Sequence, residues 1–174
     1  MSLIDQVIRP DIRAMSAYAV AHSDGFLKLD AMENPYPLPE KLKAALAKRL
    51  SEVALNRYPV PSYTGLKTRI RQKMGVPDGY DVILGNGSDE LISLIALACA
   101  KKDEPAKIVT PVPGFVMYAL SAQFAGMEFI GIPLKPDFRL DIEAMLSAIE
   151  KHRPTVVYLS QPHNPTGTLF DEKE

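Results

Sequence analysis

The sequence predicts an α/β domain built on a mostly parallel sheet, and two observations support this prediction. From residue 80 onward, short β-branched runs alternate with helical patterns. The centres of the β-branched runs fall near residues 83, 108, 130 and 157, which leaves room for a helix between successive strands. Parallel neighbours need such crossover connections, so this spacing is typical of a parallel sheet.

The first part of the chain, residues 1–63, differs in composition and contains six prolines and one glycine. We predict an N-terminal arm here, with a short strand at 26–29. A proline disfavours helix in the residue before it, so the prolines at 35–39 predict extended backbone. Behind them, a helix is predicted to about residue 50. Its apolar residues recur at helical spacing: Leu42, Ala45, Leu46 and Leu50.

The second part, residues 64–174, begins with a helix that Thr64 can cap and Gly75 can end. Strands and helices then alternate. The predicted strands are 81–84, 107–110, 128–134 and 155–160, and the predicted helices between them are 88–100, 114–125 and 141–151, the last capped by Asp141. A parallel sheet usually has helices on both faces and more strands than four, so we expect a truncated part of a larger molecule.

Composition excludes several classes of function. The formal net charge of −1 gives no electrostatic footprint for nucleic acid or an anionic membrane. The longest apolar stretch, Leu91–Ala100, is too short to span a bilayer, and the N-terminus lacks the pattern of a secretory signal. One cysteine excludes an intrachain disulfide, and the histidines lack metal-ligand spacing. We therefore expect a cytoplasmic protein with no metal site.

Three polar turns follow predicted strands, at the sheet edge where open parallel sheets bind ligands. The first is Gly85–Glu90, which leads into a helix. The free amides of that helix's first turn and the Ser88 hydroxyl can hold a phosphate. The alternative is a plain turn in which Ser88 is the N-cap. The turn is neither a P-loop nor a complete Gly-x-Gly-x-x-Gly fingerprint.

The second and third turns offer a flat ring and an amide. Phe115 stands at a helix start after a strand, where an aromatic ring can stack on a planar ligand, although burial in the core is the alternative. In Ser160–Gly167, two prolines bracket His163 and Asn164 and restrict the backbone there, so the position of the Asn164 side-chain amide is fixed. Turn formation alone is again the alternative. Together, the three turns suit an aromatic phosphate cofactor.

On these residues the sequence resembles the fold type I pyridoxal-phosphate aminotransferases. Residues 160–167 match the Asn-Pro-Thr-Gly motif of that family, 86–90 its phosphate turn, and 113–115 the position of its ring-stacking aromatic. Residues 29–36 and 56–59 resemble, more narrowly, the histidinol-phosphate aminotransferases. The resemblance implies the N-terminal half of such an enzyme. Residues 1–63 are then the arm and a small-domain or dimer-interface segment, and 64–174 the first part of the cofactor-binding large domain.

The resemblance also implies roles for residues in the three turns. The backbone amides of Gly87, Ser88 and Asp89 are expected to bind the phosphate of pyridoxal 5′-phosphate. Phe115 is expected to stack on the pyridine ring. Asn164 is expected to hydrogen-bond to the phenolic oxygen of that ring.

Residues outside the turns receive roles on the same basis. Tyr58 is expected to reach across a homodimer interface to the phosphate of the partner's cofactor, and an exposed loop tyrosine is the alternative. Tyr18, Glu33 and Asn34 are expected to line the substrate entrance, and for Tyr18 a tethered arm aromatic is the alternative. His163 receives no catalytic role.

The implied activity is transfer of an amino group between histidinol phosphate and 2-oxoglutarate, in histidine biosynthesis. None of the chain's lysines lies in the Ser-Lys-x5-Gly-x-Arg setting of the family's Schiff-base lysine. No catalytic residue is therefore assigned, and we expect this chain alone to be inactive. The alternatives are another fold type I enzyme, either an aromatic aminotransferase or a phospho-amino-acid decarboxylase, and a non-catalytic α/β domain that binds a partner or a nucleotide phosphate.

Overall fold

The computed structural model describes residues 3–16, 22, 24–28, 31, 33–60, 62–101, 103–171 and 173. The chain divides into two compact units, which we call the sheet unit (Met1–Ser16 and Ile83–Glu174) and the helical unit (Ala17–Val82). In the described ranges, none of the helices has the length and apolar character to cross a membrane. The predicted division at residue 63 concerns the domains of a larger protein, so it stays a prediction.

The elements follow the order expected of strand–helix–strand crossovers. The helices are α1 (Leu3–Val7), α2 (Pro10–Arg13), α3 (Glu40–Ser51), α4 (Thr64–Met74), α5 (Ser88–Cys99), α6 (Val116–Ala125) and α7 (Ile142–His152), and the strands are β1 (Lys107–Val112), β2 (Glu128–Pro133) and β3 (Val156–Val157). The strand order is β2-β1-β3, and both pairings are parallel. The predicted α/β class with a parallel sheet is confirmed.

The central strand β1 carries a core on each of its faces. Side chains alternate between the faces of a strand, so Ile108 and Val109 point in opposite directions. Ile108 packs with Ala96 of α5 and Ala122 of α6, and Val109 packs with Met145 of α7. Helices therefore cover both faces of the sheet, as a parallel sheet requires.

The short strand β3 ends where β1 contains a proline. The Tyr158 amide donates to the Val109 carbonyl at 3.0 Å. In a parallel ladder, the next bond would run from the amide of residue 111 to the Tyr158 carbonyl. Pro111 has no N–H, so this bond cannot form. The chain thus leaves the sheet after Tyr158 and enters the turn at 160–167, earlier than the predicted strand end at residue 160.

Two further strand predictions are wrong. Residues 81–84 are not a strand, and Ile83 is 77% exposed. No strand in the described part of the chain pairs with this segment, and an apolar run becomes a strand only when a partner satisfies its backbone. Residues 26–28 are irregular, and Leu29 lies outside the described residues.

The helix ends test the predicted caps. The Asp141 carboxylate accepts from the Ala144 amide at 3.1 Å, which confirms the cap of α7. Gly75 ends α4 with a φ of 64°, as predicted for a left-handed C-cap. The Thr64 prediction is wrong, because Tyr63 occupies the N-cap position and Thr64 is the first helical residue.

The helical unit contains α3 and α4, and none of its described residues is buried. The apolar stripe predicted for α3 is present but half-exposed, with Leu42 52% and Leu46 45% exposed. An ion pair between Lys67 and Asp81, 3.1 Å from Nζ to Oδ2, joins α4 to the end of the unit. Packing within this unit therefore leaves most of its apolar surface uncovered.

Candidate cofactor-binding site

Two of the three turns lie at the same edge of the sheet. β1 and β3 are parallel neighbours, so the loops that follow them leave the sheet at the same edge. Phe115 follows β1, and Ser160–Gly167 follows β3. Ligands of open α/β sheets bind at this edge.

Phe115 is half-buried, and its ring contacts that of Tyr118. It is the N-cap residue of α6, with extended backbone angles (φ −63°, ψ 121°). Its ring lies 5.6 Å from that of Tyr118, at an interplanar angle of 89°. Tyr118 is 8% exposed and stacks on Tyr158 with centroids 4.4 Å apart and an angle of 6°. Phe115 is thus neither fully buried nor free to rotate.

The turn before Phe115 depends on a glycine. A Cβ atom at Gly114 would lie 2.5 Å from the Pro111 carbonyl oxygen, closer than real Cβ contacts allow. The backbone can therefore fold tightly between β1 and α6 only without a side chain here. This tight turn fixes where Phe115 leaves the sheet.

The loop that carries Asn164 is closed by its own hydrogen bonds. The His163 amide donates to the Thr168 carbonyl at 2.8 Å, and the Gly167 amide donates to the His163 carbonyl at 2.7 Å. The backbone amide of Asn164 donates to Ser160 Oγ at 3.1 Å. Among the described residues, the Asn164 side chain has no hydrogen-bond partner, so its donor and acceptor are available to a ligand.

Gln161 closes the same loop from outside. Its Nε2 donates to the Phe170 carbonyl at 2.8 Å, and its Oε1 accepts from the Phe170 amide at 3.1 Å. The Gln161 side chain thus bonds both backbone groups of Phe170, as a neighbouring strand would. The peptide bonds that precede Pro113, Pro162 and Pro165 are cis.

His163 is a buried part of this loop and is 1% exposed. Its Nδ1 lies 2.8 Å from Thr166 Oγ1, and the Thr166 hydroxyl donates to Thr168 Oγ1 at 3.0 Å. That hydroxyl proton is thus used, so we assign the imidazole proton to Nδ1, which donates to Thr166. Burial lowers the pKa of His163 and favours the neutral imidazole.

The α5 turn presents exposed backbone amides. Gly87 is the N-cap residue with a φ of 87°, so the alternative in which Ser88 is the N-cap is wrong. The Asn86 amide donates to the Glu90 carboxylate, and the Ser88 hydroxyl donates to Asp89 Oδ1 at 3.4 Å. Gly87 has no side chain to cap the helix, so the first-turn amides and the positive end of the helix dipole face outward.

The remaining predicted site residues belong to other parts of the chain. Tyr58 is 99% exposed in a loop of the helical unit. Glu33 pairs with Lys28 at 3.5 Å, and Asn34 Oδ1 accepts from the Tyr36 amide at 3.0 Å. Tyr18 lies outside the described residues. Their predicted roles stay predictions.

Sequence reasoning missed the residues that support the site. Tyr118 is three residues beyond Phe115, a spacing that brings side chains together on a helix, so this contact was accessible from the sequence. The stacking partner, Tyr158, comes from another element, and no local pattern indicates that contact. The ring contacts behind Phe115 therefore depend mostly on how the elements pack.

The donor set fits pyridoxal 5′-phosphate in kind. Exposed first-turn amides and a helix dipole suit a phosphate. A half-buried phenyl ring suits a pyridine face, and an unpaired carboxamide suits a ring oxygen. In the described part of the chain, no hydrogen bond or ring contact joins the α5 turn to Phe115 or Asn164, so a single shared site stays a prediction.

Comparison with known protein families gives a match over most of the chain. The model described as "Aminotransferase class I and II" matches residues 24–174. Among curated relatives, histidinol-phosphate aminotransferase 2 of Cupriavidus pinatubonensis is 61% identical over 170 residues, which cover 98% of this chain and 46% of the relative. Histidinol-phosphate aminotransferase 1 of Burkholderia lata is 58% identical, over 100% of this chain and 48% of the relative. The chain thus spans about half the length of these relatives.

Solved structures show the same fold. Histidinol-phosphate aminotransferase from Sinorhizobium meliloti, in complex with pyridoxal 5′-phosphate, superposes with a TM-score of 0.73 at 20% identity. The match covers 93% of this chain and 44% of that one. A putative histidinol-phosphate aminotransferase from Erwinia carotovora atroseptica gives a TM-score of 0.70 at 26% identity, over 90% and 44%.

Proposed function

The chain belongs to the class I and II aminotransferase family, and we propose that it forms part of an enzyme that transfers an amino group between histidinol phosphate and 2-oxoglutarate. The observation that carries this proposal is identity of 61% and 58% to two enzymes named for that substrate, over nearly the whole chain. The proposal places the protein in histidine biosynthesis, in the cytoplasm.

We propose that the chain provides part of a pyridoxal 5′-phosphate site. When bound, this cofactor supplies an electron sink for negative charge at the substrate carbon. In the proposal, the amides of Gly87, Ser88 and Asp89 hold the phosphate, and Phe115 supports the pyridine ring. The geometry of the α5 turn supports the first role, and the half-buried ring supports the second.

Asn164 has the sharpest proposed role. Its carboxamide donates a hydrogen bond to the phenolic oxygen of the ring and so stabilises negative charge there. The loop supports this role, because its own bonds hold the backbone on both sides of Asn164 and leave the side chain unpaired in the described structure. Little backbone conformational entropy is then lost when the cofactor binds.

The homodimer and the substrate contacts complete the proposal. Tyr58 serves the partner's cofactor phosphate, and its 99% exposure supports a role outside its own unit. Tyr18, Glu33 and Asn34 line the substrate entrance. Because the family's Schiff-base lysine has no counterpart among the residues of this chain, the chain alone is expected to form no glutamate from 2-oxoglutarate and histidinol phosphate when pyridoxal 5′-phosphate is added.

The proposal is tested in a chimera. This chain replaces the matching segment of the C. pinatubonensis relative, and the chimera is expressed in a bacterial strain that lacks its own histidinol-phosphate aminotransferase. We expect growth without histidine, and glutamate formation by the purified chimera. Asn164→Ala is expected to reduce turnover at least tenfold, while Gln72→Ala, which removes an exposed amide on α4, leaves it unchanged.

Substrate preference separates the proposal from its rivals. A chimera that turns over phenylalanine faster than histidinol phosphate would favour an aromatic aminotransferase, and release of carbon dioxide would favour a decarboxylase. If the chimera folds but neither binds pyridoxal 5′-phosphate nor transfers an amino group, the non-catalytic domain is the better account.

A further inference from the structure

We propose that Tyr118 is a positioning residue for Phe115, an inference that rests on the proposed cofactor site. Tyr118 is 8% exposed, so it lies behind the surface that a cofactor could reach. It contacts Phe115 edge to face at 5.6 Å and stacks on Tyr158 at 4.4 Å. Three rings thus form a continuous row, and Phe115 is its half-buried end.

The contact between Phe115 and Tyr118 restricts the orientation of the outer ring. An edge-to-face pair is favoured by the ring quadrupoles, in addition to the apolar area that it buries. The two residues are also joined through the backbone, since the Tyr118 amide donates to the Phe115 carbonyl at 3.1 Å. The Phe115 ring therefore turns only if it gives up the contact with Tyr118.

The contact between Tyr118 and Tyr158 anchors the row to the sheet. Tyr158 donates its amide to Val109 of β1, and it lies two residues before Ser160. Ser160 Oγ accepts a hydrogen bond from the backbone amide of Asn164 at 3.1 Å. The row of rings consequently connects Phe115 to the loop that carries Asn164. A change in the packing of Tyr118 would therefore displace both Phe115 and that loop.

The experiment measures the affinity of the purified chimera described above for pyridoxal 5′-phosphate by fluorescence titration. Tyr118→Leu removes the ring and keeps apolar volume, and Tyr118→Phe is the matched control that keeps the ring. Both are made in the unaltered chimera and in a Phe115→Leu background. Circular dichroism and the melting temperature report folding, and Tyr118→Met is the second variant if the leucine variant does not fold.

Tyr118→Leu is expected to raise the dissociation constant about threefold to tenfold, as the energy of an aromatic pair implies. Tyr118→Phe is expected to restore the original value within about twofold. In the Phe115→Leu background, Tyr118→Leu should have little further effect, because a positioning residue acts through the ring it positions.

Two results would overturn the inference while leaving the proposed function intact. One is unchanged affinity after Tyr118→Leu. The other is an equal loss of affinity in both backgrounds, which would indicate general destabilisation. If the folded chimera without these substitutions shows no saturable binding of pyridoxal 5′-phosphate, the proposed cofactor site fails, and the inference fails with it.

Discussion

At the scale of single residues, the turn before Phe115 leaves no room for a side chain at position 114. A Cβ there would lie 2.5 Å from a backbone carbonyl oxygen, which cannot move aside cheaply. We expect Gly114→Ala to lower the free energy of unfolding by about 1–3 kcal/mol, the usual cost of overpacking. Urea unfolding measures the change.

Gly65 in α4 provides the matched control for this substitution. No atom lies within 4 Å of the position of its Cβ. Alanine also favours helix over glycine by about 1 kcal/mol. Gly65→Ala should therefore leave stability unchanged or raise it, and equal losses at both positions would contradict the steric explanation for Gly114.

The Tyr158 hydroxyl is a second single-residue feature with a measurable consequence. Its oxygen is buried and has no hydrogen-bond partner in the described structure, and burial raises the pKa of Tyr158. An unsatisfied buried hydroxyl costs about 1–3 kcal/mol. Tyr158→Phe keeps the stack on Tyr118 and removes the hydroxyl, so thermal unfolding should show a higher melting temperature. A lower one would indicate a hydrogen bond that the structure lacks.

His163 gives the site a defined dependence on pH. Burial lowers the pKa of His163 below its ordinary value of 6.5, so the unfolded chain binds a proton more readily than the folded one. The free energy of unfolding is therefore highest above pH 6.5, where His163 is neutral in both states. It declines as the pH falls from 6.5 through the lower pKa of the folded state. Urea unfolding from pH 7.5 to pH 5 should show this decline.

His163→Asn is the control for the titration. Asparagine can still donate a hydrogen bond to Thr166, but it does not titrate. Stability of this variant should depend less on pH across the same range. An identical pH dependence in both proteins would show that other groups cause the decline.

At the scale of elements, one arginine fastens the N-terminal segment to α6. Arg9 donates to the carbonyl oxygens of Phe124 and Gln123 at 3.0 and 2.9 Å, at the C-terminal end of α6. It also forms a two-bond pair with Asp11. The Gln123 side chain donates back to the Asp11 carbonyl at 3.1 Å. The planar guanidinium makes these contacts simultaneously, which an ammonium cannot do.

Arg9→Lys is therefore expected to release residues 3–16 from α6. Hydrogen exchange followed by mass spectrometry should show faster exchange in that segment and little change in β1. Arg13→Lys is the matched control, because Arg13 pairs with the Asp5 carboxylate and a lysine retains that charge. Faster exchange in both variants would mean that the planar guanidinium of Arg9, with its several simultaneous hydrogen bonds, is unimportant.

The longer helices and the strands β1 and β2 could be predicted closely from the sequence, whereas the strands predicted at 81–84 and 155–160 could not. Apolar spacing and end residues such as Asp141 and Gly75 are local, so α4, α5 and α7 were placed within one or two residues of their observed ends. Strands depend on partners that are remote in sequence. The prediction at 81–84 therefore failed, and β3 proved shorter than its apolar run because of Pro111 on the neighbouring strand.

The same distinction applies to the candidate site. Phe115 and the loop of Asn164 were predicted as neighbours at one sheet edge, because the rule on parallel strand ends needs only the strand positions. The row from Phe115 through Tyr118 to Tyr158 could not be derived in full, since it depends on packing between elements. Among the described residues, the segment before the α5 turn has no strand partner, so the rule on strand ends does not place this turn beside the other two.

At the scale of the whole molecule, the chain leaves much apolar surface uncovered. Leu94 and Leu97 of α5 are 47% and 60% exposed, in addition to the leucines of α3. The chain also spans 46–48% of the length of its two curated relatives named above. Apolar surface of this extent indicates interaction surfaces, so we expect concentration-dependent association of the isolated chain in sedimentation experiments.

We propose that the three turns form one site for pyridoxal 5′-phosphate. Its most direct test is titration of the ¹⁵N-labelled chain with this cofactor, followed by amide chemical shifts. If the three turns share one site, saturable shifts with a common dissociation constant are expected at residues 86–90, 113–118 and 160–167. Shifts confined to one of these turns, or spread over surface lysines with unequal constants, would contradict it.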